Sequence, residues 1–376
     1  MHLNRRQFAL SVAALPLAAC APSSPQVPAR RAGVPEGMRP VANAGYSNWV
    51  AGFRARATSQ GFSNALMDRA FRGTGFLPGV VERDRNQTEF KRSLEDYLSI
   101  AVSDERVAKG RAAYARHRST LTALEREYGV DAHIIAAIWG LESFYGERRG
   151  DIPVISSTST LAYDGRRGTF FEKQLIAALK ILDRGQVAPQ NFTGSWAGAM
   201  GHTQFIPTSY LAFAVDFTGD GRADIWSEDP TDALASTAAY LARNGWQRGL
   251  RWGAEAGPDA SGTIQPQPGG PRFTTTANFR AIKRYNNSDA YAIGVGHLAD
   301  RIAGGGPLRA DFPPDSYGFT KDDRIALQRG LTSRGFDAGG ADGVFGDKTR
   351  SAISAYQRSQ GLPVTGEPSL DLLRRL

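Results

Sequence analysis

The chain has 376 residues, 41% of them hydrophobic and 22% charged, with a formal net charge of +8. This composition is ordinary for a folded protein and excludes a largely disordered chain, and the length suits one large domain plus a small one. The positive charge favours an anionic partner, such as nucleic acid, phospholipid headgroups or an acidic polymer. Because no run of five or more basic residues occurs, a nucleic-acid partner is not expected.

The N-terminus has the pattern of a twin-arginine export signal. Arg5 and Arg6 precede an apolar run at 9–19 that is too short to span a bilayer. Residues 17–20, Leu-Ala-Ala-Cys, resemble a bacterial lipobox, which implies that Cys20 is lipidated, and Ala21 after it favours the outer membrane. The alternative is that Cys20 is incidental and the signal is cleaved elsewhere. We predict a signal peptide at 1–20 and, since Cys20 is the single cysteine, no internal disulfide.

Residues 21–44 are rich in Pro, Ala, Ser and Arg and predict a flexible tether. Residues 45–305 alternate helical patterns with loops, which predicts a mainly α catalytic domain. Within it the Gly- and Pro-rich stretch 254–272 predicts a loop, with a short strand or an excursion of the lobe as the alternatives. The helices expected in this domain are Ser47–Arg56, Ser63–Phe71, Val107–Tyr128, Ala132–Tyr145, Thr169–Arg184, Pro207–Phe213, Pro230–Asn244 and Ala290–Ala303.

A Gly- and Pro-rich linker is expected at 306–318, before a small unit at 319–376. The unit shows two amphipathic helical segments and a short terminal one, which predicts three helices. With fewer than about 70 residues its core is thin, so we expect this unit to bind rather than to catalyse.

The most informative residue is Glu142, which lies on the apolar face of the predicted helix Ala132–Tyr145. Asp131 is placed to cap that helix, and Gly146 to end it. Burial disfavours the charged form of a carboxyl group, so we expect the pKa of Glu142 to be raised towards neutrality. A carboxylic acid that keeps its proton near neutral pH suits the acid-catalysed cleavage of a glycosidic bond.

A structural role for Glu142 is the alternative. Arg148 and Arg149 follow closely, and a buried glutamate in a helix is often paired with such a cation. The glycine-rich segment 194–210 favours catalysis, because its three glycines around Gln204 indicate a backbone that something approaches closely. The segment 284–291, with two tyrosines and two asparagines, is a further candidate for binding.

Four motifs in order carry a family resemblance: Glu-Ser-Phe-Tyr-Gly at 142–146, Gly-Ala-Met-Gly-x-x-Gln-Phe-x-Pro-x-Ser-Tyr at 198–210, Asp-x-x-Gly-Asp-Gly-x-x-Asp-Ile-Trp at 216–226 and Tyr-Asn-x-Ser at 285–288. Together they closely resemble the B family of membrane-bound lytic murein transglycosylases over roughly residues 45–303. The segment 328–366 separately resembles the small three-helix peptidoglycan-binding domain. The resemblance implies a lysozyme-like domain in which Glu142 is the one catalytic carboxylate, first acid and then base. It also implies substrate-binding roles for Ser143, Gln204, Tyr285, Asn286 and Tyr291.

The loop that begins at Asp216 resembles an EF-hand, with Asp216, Thr218, Asp220 and the Arg222 carbonyl at ligand positions 1, 3, 5 and 7. Position 12 is Ser227 instead of glutamate, and the family pattern points to Asp232 as the closing ligand. No cofactor is expected to be required, and the hypothesis is a weak structural Ca²⁺ or Na⁺ site. The alternative is a plain turn without metal.

The resemblance implies cleavage of the bond between N-acetylmuramic acid and N-acetylglucosamine, with a 1,6-anhydromuramoyl end and no water consumed. Two alternatives remain open from the sequence. One is a hydrolytic muramidase of the same fold, and the other is a non-catalytic wall-binding lipoprotein. The expected partners are peptidoglycan strands and, through the lipid on Cys20, a membrane. The protein is expected to be a periplasmic monomer.

Overall fold

The computed structural model of the protein describes residues 35–86 and 93–376. The predicted signal peptide, Cys20 and the first part of the tether lie outside the described residues. The end of the tether was predicted wrongly, because residues 36–38 form a 3-10 turn in which Met38 is buried. Val41 then pairs with Phe76 in an isolated β-bridge. Within the described residues no helix is long and apolar enough to cross a membrane.

The described part of the chain is mainly helical, which confirms the predicted fold class. Its helices are α1 (Ala44–Ser59), α2 (Asn64–Ala70), α3 (Pro78–Arg85), α4 (Leu94–Ala101), α5 (Asp104–Arg116), α6 (Arg118–Tyr128), α7 (Ala132–Ser143), α8 (Val154–Asp164), α9 (Gly168–Asp183), α10 (Pro207–Phe213), α11 (Thr231–Arg243), α12 (Ala277–Tyr285), α13 (Asp289–Ile302), α14 (Lys321–Ser333), α15 (Asp347–Ser359) and α16 (Leu370–Arg375).

Two short sheets accompany these helices. Strands β1 (Ile152–Pro153) and β2 (Thr193–Gly194) pair antiparallel, with Pro153 opposite Thr193 and Ile152 opposite Gly194. The stretch expected to be mostly loop forms a second sheet of β3 (Gly253–Ala256), β4 (Thr263–Ile264) and β5 (Arg272–Thr275). Its order is β3-β5-β4, and both pairs are antiparallel.

Helix α7 is central to one of two hydrophobic cores in the catalytic domain. It packs against α5, α6, α11 and α13, and Ile135 and Ile138 are completely buried. A second core holds α1, α2, α8 and α9. Because α7 is buried on most sides, a carboxylate on it is held in a fixed place with little access to water.

The unit at the C-terminal end has its own small core, and its three helices α14, α15 and α16 confirm the prediction. Phe319, Leu327 and Leu331 are completely buried in it. The linker before it is fastened to the sheet, since the Glu255 carboxylate accepts hydrogen bonds from the backbone N–H groups of Arg309 and Ala310, each at 2.9 Å or less.

One arginine joins this unit to the catalytic domain. Arg324 is 4% exposed and forms ion pairs with Glu95 and Asp96 at the start of α4 and with Asp315 of the linker. A buried cation without partners is costly, so these three acids hold Arg324 in place and restrain the orientation of the unit.

Candidate active site

Helix α7 ends at Ser143, one residue after Glu142, and a strained turn follows. Asp131 caps its start, accepting a hydrogen bond from the His133 N–H at 2.7 Å, as predicted. At its end Phe144 and Tyr145 have φ of 54° and 60°, a region that side chains with a Cβ rarely adopt. Each such residue costs on the order of 1–2 kcal/mol, so the surrounding contacts must hold the turn.

Those contacts come from three directions. The Tyr145 hydroxyl donates to the Arg106 carbonyl at 2.9 Å. The Phe144 ring lies against the Lys109 ammonium at 4.3 Å and the Arg148 guanidinium at 4.6 Å. The turn therefore keeps Glu142 at a defined position at the end of α7.

Glu142 is partly buried, and its Oε1 accepts a hydrogen bond from the Tyr291 hydroxyl at 2.7 Å. Burial raises the pKa of Glu142 to about 7, although the hydrogen bond from Tyr291 acts in the opposite direction. The expected rise in pKa is thus present. No second carboxylate of the described residues contributes to this shift, so Glu142 is the single acid that the described residues place at this site.

The structural alternative, a pairing of Glu142 with a nearby arginine, is absent from the described part of the chain. Arg148 stacks on Phe144. Arg149 donates to the carbonyls of Trp226 and Ser227, at 3.2 and 2.7 Å, and pairs with Glu228. Both cations are therefore committed elsewhere.

Tyrosines surround the carboxyl group of Glu142. Tyr291 is 5% exposed, and the Tyr285 hydroxyl donates to the Thr203 carbonyl at 2.6 Å. Tyr97 of α4 was missed by the sequence analysis. Burial and the negative charge of Glu142 both raise the pKa of Tyr97. No sequence pattern links Tyr97 to α7. Gly294 of α13 lets Tyr97 pack closely, because a Cβ at position 294 would lie 2.8 Å from the Tyr97 ring.

Gln204 lies in the glycine-rich loop with φ of 53°. Its Nε2 donates to the carbonyls of Arg149, at 3.0 Å, and Gly201, at 2.8 Å. No donor among the described residues bonds its Oε1, which leaves that atom for a substrate hydroxyl or amide N–H. A binding role for Gln204 therefore stays a prediction. The two hydrogen bonds of Gln204 Nε2 also hold the loop in place.

Ser143 does not fit the binding role expected of it. It is 1% exposed, its hydroxyl donates to the His202 carbonyl at 2.5 Å, and it accepts from the Gly146 N–H at 2.9 Å. Ser143 therefore positions the turn. The expected role of Asn286, which is exposed directly after α12, stays a prediction.

His202, also missed, connects the elements behind Glu142. The Trp139 Nε1–H of α7 donates to His202 Nδ1 at 3.1 Å, and His202 Nε2 lies 2.7 Å from the Ser227 carbonyl. Burial lowers the pKa of His202, which favours the neutral ring with its proton on Nε2. Its place between Gly201 and Gln204 in the glycine-rich segment is the signal that could have identified it.

The EF-hand-like loop brings together carboxylates that are separated in the sequence. Oxygen atoms of Asp216, Asp220 and Asp232 all lie within 4.8 Å of one another. The Thr218 hydroxyl is 3.3 Å from Asp216 Oδ1, while the Arg222 N–H donates to Asp220. Burial, together with the charge of Asp216, raises the pKa of Asp232.

This oxygen-donor set suits a hard cation such as Ca²⁺. Two other acids near the end of the loop are engaged elsewhere: Asp229 accepts hydrogen bonds from Thr231, and the Glu228 side chain pairs with Arg149. Asp232 is the one that reaches the cluster. Asp224, which occupies position 9, accepts from the N–H groups of Trp226 and Ser227.

Residues 45–265 and 257–300 match the family described as "Transglycosylase SLT domain", and residues 320–376 match "Putative peptidoglycan binding domain". The chain belongs to the transglycosylase SLT domain family. This confirms the resemblance found in the sequence, the lysozyme-like fold class and, at the level of the family, the enzyme class of peptidoglycan lytic transglycosylase, a lyase.

Three relatives place the chain more closely. Membrane-bound lytic murein transglycosylase B of Escherichia coli (strain K12) is 30% identical over 242 residues, which cover 55% of this chain and 66% of that protein. SltB3 from Pseudomonas aeruginosa, solved in complex with NAG-NAM-pentapeptide, is 43% identical, with a TM-score of 0.69 over 89% of this chain and 100% of that one. Escherichia coli Slt35, solved in complex with calcium, is 26% identical, with a TM-score of 0.59 over 69% of this chain and 93% of that one.

Proposed function

We propose that the protein cleaves the β-1,4 bond between N-acetylmuramic acid and N-acetylglucosamine in peptidoglycan and leaves a 1,6-anhydromuramoyl end. One observation carries this proposal: Glu142 is a lone carboxyl group with a pKa of about 7 and no cationic partner among the described residues. The solved complex of SltB3 with NAG-NAM-pentapeptide supports the choice of substrate.

In the first step, protonated Glu142 donates its proton to the glycosidic oxygen. The bond between that oxygen and the muramoyl C1 breaks, its electron pair stays on the leaving N-acetylglucosamine oxygen, and positive charge develops at C1. In the second step, the Glu142 carboxylate removes the proton from the muramoyl C6 hydroxyl, whose oxygen bonds to C1. Glu142 ends protonated, so the cycle consumes no water.

A lone carboxyl group suffices because the nucleophile belongs to the substrate. Glycosidases that use water or a covalent intermediate place two carboxyl groups around the bond. An attacking group on the same sugar reacts with a high effective molarity and needs no second carboxylate to position it. A pKa of about 7 for Glu142 lets it act in turn as acid and base near neutral pH.

Tyr291→Phe should shift the pH dependence of turnover. The Tyr291 hydroxyl stabilises the Glu142 carboxylate, so its removal should raise the pKa of Glu142 above about 7. Turnover needs protonated Glu142, and its decline on the alkaline side should therefore move to higher pH. Tyr285→Phe is the matched control, because the Tyr285 hydroxyl bonds the Thr203 carbonyl instead. Identical alkaline midpoints in all three proteins would contradict the assigned role of Tyr291.

We further propose that the loop of Asp216, Asp220 and Asp232 holds a structural Ca²⁺, with Thr218 and the Arg222 carbonyl as additional ligands and Na⁺ as a weaker substitute. Three carboxylates this close repel one another, and a divalent cation relieves that repulsion. The solved complex of Slt35 with calcium supports the choice of ion.

Millimolar Ca²⁺ should raise the melting temperature of the wild-type protein, because a ligand that binds only the native state stabilises it by mass action. Asp216→Ala combined with Asp220→Ala should remove the response. Asp183→Ala, which changes an exposed aspartate outside the loop, should retain it. Melting curves of the wild type that do not differ between Ca²⁺ and a chelator would return the loop to a plain turn.

The proposed location is the periplasm, with the chain anchored through a lipid on Cys20 to the outer membrane and acting as a monomer. Its sequence pattern and the membrane-bound relative in Escherichia coli support this proposal. Globomycin, which blocks the signal peptidase for lipoproteins, should leave the precursor uncleaved. Processing that continues in its presence would contradict lipidation.

Removing residues 319–376 should weaken binding to insoluble sacculi more than it slows cleavage of short soluble glycans. The unit is proposed to raise the local concentration of enzyme on the polymer. Its core is separate from the two catalytic cores, so the remainder keeps its own packing. A cosedimentation assay and a soluble-substrate assay make the comparison. Equal losses in both would indicate that the unit helps to form the active site.

A further inference from the structure

Helix α8 contains an unusual run of five hydroxyl residues, 156–160, all completely buried. Four of them bond within the protein. Ser157 and Thr158 donate to the Val154 carbonyl, Ser159 donates to the Ile155 carbonyl, and Thr160 accepts from the Leu77 N–H. The Ser156 hydroxyl is the exception, with no partner among the described residues. A buried hydroxyl without a partner costs about 1–3 kcal/mol, which suggests that something else bonds it.

Ser156 lines a cavity of about 500 Å³ between the ends of α2 and α9 and the start of α8. The cavity is also lined by Arg69, Arg72, Thr74 and Gln190, and none of the described residues that line it is acidic. Neither arginine forms an ion pair in the described part of the chain, and Asp68, beside Arg69, is paired with Arg54. The start of α8 has no side-chain cap and adds partial positive charge. Together these groups suit an anion.

The cavity is connected to the active-site loop through backbone pairing. Pro153 and Thr193, which line it, form one pair of the β1–β2 sheet, and the next pair includes Gly194. Gly194 pairs with Met200, which pairs with Phe205, the neighbour of Gln204. The pairings Gly194–Met200 and Met200–Phe205 are two steps of about 4.8 Å, about 10 Å together. Five extended residues span up to about 17 Å, so a pentapeptide attached to a sugar at Gln204 is long enough for this separation.

We propose that this cavity binds a carboxylate of the peptidoglycan stem peptide, with Arg69 and Arg72 as the charged partners and the Ser156 hydroxyl as a donor. The proposal rests on the proposed function, since it assigns a second contact to the same substrate. It makes the enzyme prefer strands that carry their peptides over bare glycan. It also gives the unpartnered hydroxyl and the unpaired arginines one common ligand.

The proposal is tested by measuring kinetics on strands with and without stem peptides, using the full chain without its signal peptide. Arg69→Gln with Arg72→Gln should raise KM about tenfold for strands with stem peptides, as expected for loss of charged hydrogen bonds. KM for peptide-free strands should stay within twofold. Ser156→Ala should act in the same direction. Two controls should leave both values unchanged: Ser157→Ala, whose hydroxyl bonds its own helix, and Arg184→Gln, an exposed arginine outside the cavity.

A KM ratio between the two substrates that is the same in wild type and variants would overturn the cavity proposal alone, provided that wild type still forms anhydro products. If wild type forms no anhydro products, the proposed function fails. The cavity proposal is then tested separately, by measuring binding of the peptide. Calorimetry with free stem pentapeptide should give heat with wild type and at least tenfold weaker binding with the arginine variant. A pentapeptide with amidated carboxyl groups should not bind. Binding of inorganic phosphate without binding of the pentapeptide would overturn the assignment to the peptide.

Discussion

Glu142→Gln should lower turnover of peptidoglycan by about 10²–10⁴-fold while the fold stays intact. The amide has the shape of the acid and still accepts from the Tyr291 hydroxyl, but it delivers no proton. Sacculus binding should be unchanged, because Glu142 lies outside the peptidoglycan-binding unit at 320–376. Release of soluble muropeptides measures the rate. Glu127→Gln, which changes an exposed glutamate on α6, is the matched control and should keep full activity.

The same variant should alter how stability depends on pH. The pKa of Glu142 rises from 4.5 to about 7 on folding, so the folded state binds this proton more tightly. The contribution of Glu142 to stability is therefore full below pH 4.5 and is lost as pH rises through 7, a loss of about 3 kcal/mol. Glutamine does not titrate. Glu142→Gln should therefore become more stable relative to wild type as pH rises from 5 to 8. A difference in melting temperature between the two proteins that stays constant over this range would contradict the raised pKa.

Gly201→Ala should both destabilise the protein and inactivate it. Gly201 has φ of 69°, and a Cβ there would lie 2.2 Å from the backbone carbonyl oxygen of Ile225. Backbone strain and the clash together should cost about 3–4 kcal/mol, or about 6–8 °C in melting temperature. Activity should fall as well, since Gln204 is fixed through its hydrogen bond to the Gly201 carbonyl.

Gly185→Ala separates the two causes. Gly185 has a similar φ of 67°, but no atom of the described residues lies within 4 Å of a Cβ there. It should lose only about 1–2 kcal/mol from backbone strain and keep its activity. Equal changes in melting temperature for the two variants would show that the close approach of Gly201 to Ile225 adds nothing.

The sequence predicted the helices with clear apolar periodicity, and α10 agrees with its prediction at both ends. It failed at α8, whose Ser, Thr and β-branched residues have weak helix propensity. Tertiary burial overrides that preference, and most of the hydroxyls are satisfied by carbonyls of the same helix. The single helix expected from Val107 to Tyr128 is divided at His117, whose ring packs edge-on against Trp139 of α7. That contact is not local in sequence, and no periodicity reveals it.

The candidate site, like the fold, could be predicted from the sequence only in part. The raised pKa of Glu142 could be predicted because the apolar face of α7 is visible in the sequence. The internal hydrogen bonds of Ser143 and the approach of Tyr97 could not, because both depend on how distant segments meet. Asp232 could be placed in the cation loop only through the family pattern, since it lies sixteen positions beyond Asp216 and reaches the loop from the start of α11.

The most direct test is mass analysis of sacculi digested by the signal-free chain in water enriched in ¹⁸O. The account predicts muropeptides that lack one water molecule and carry no ¹⁸O at C1, because the muramoyl C6 oxygen closes the ring. Muropeptides with a reducing end that contains ¹⁸O would instead show that water is the nucleophile. That result would contradict the proposed reaction and make the protein a hydrolytic muramidase.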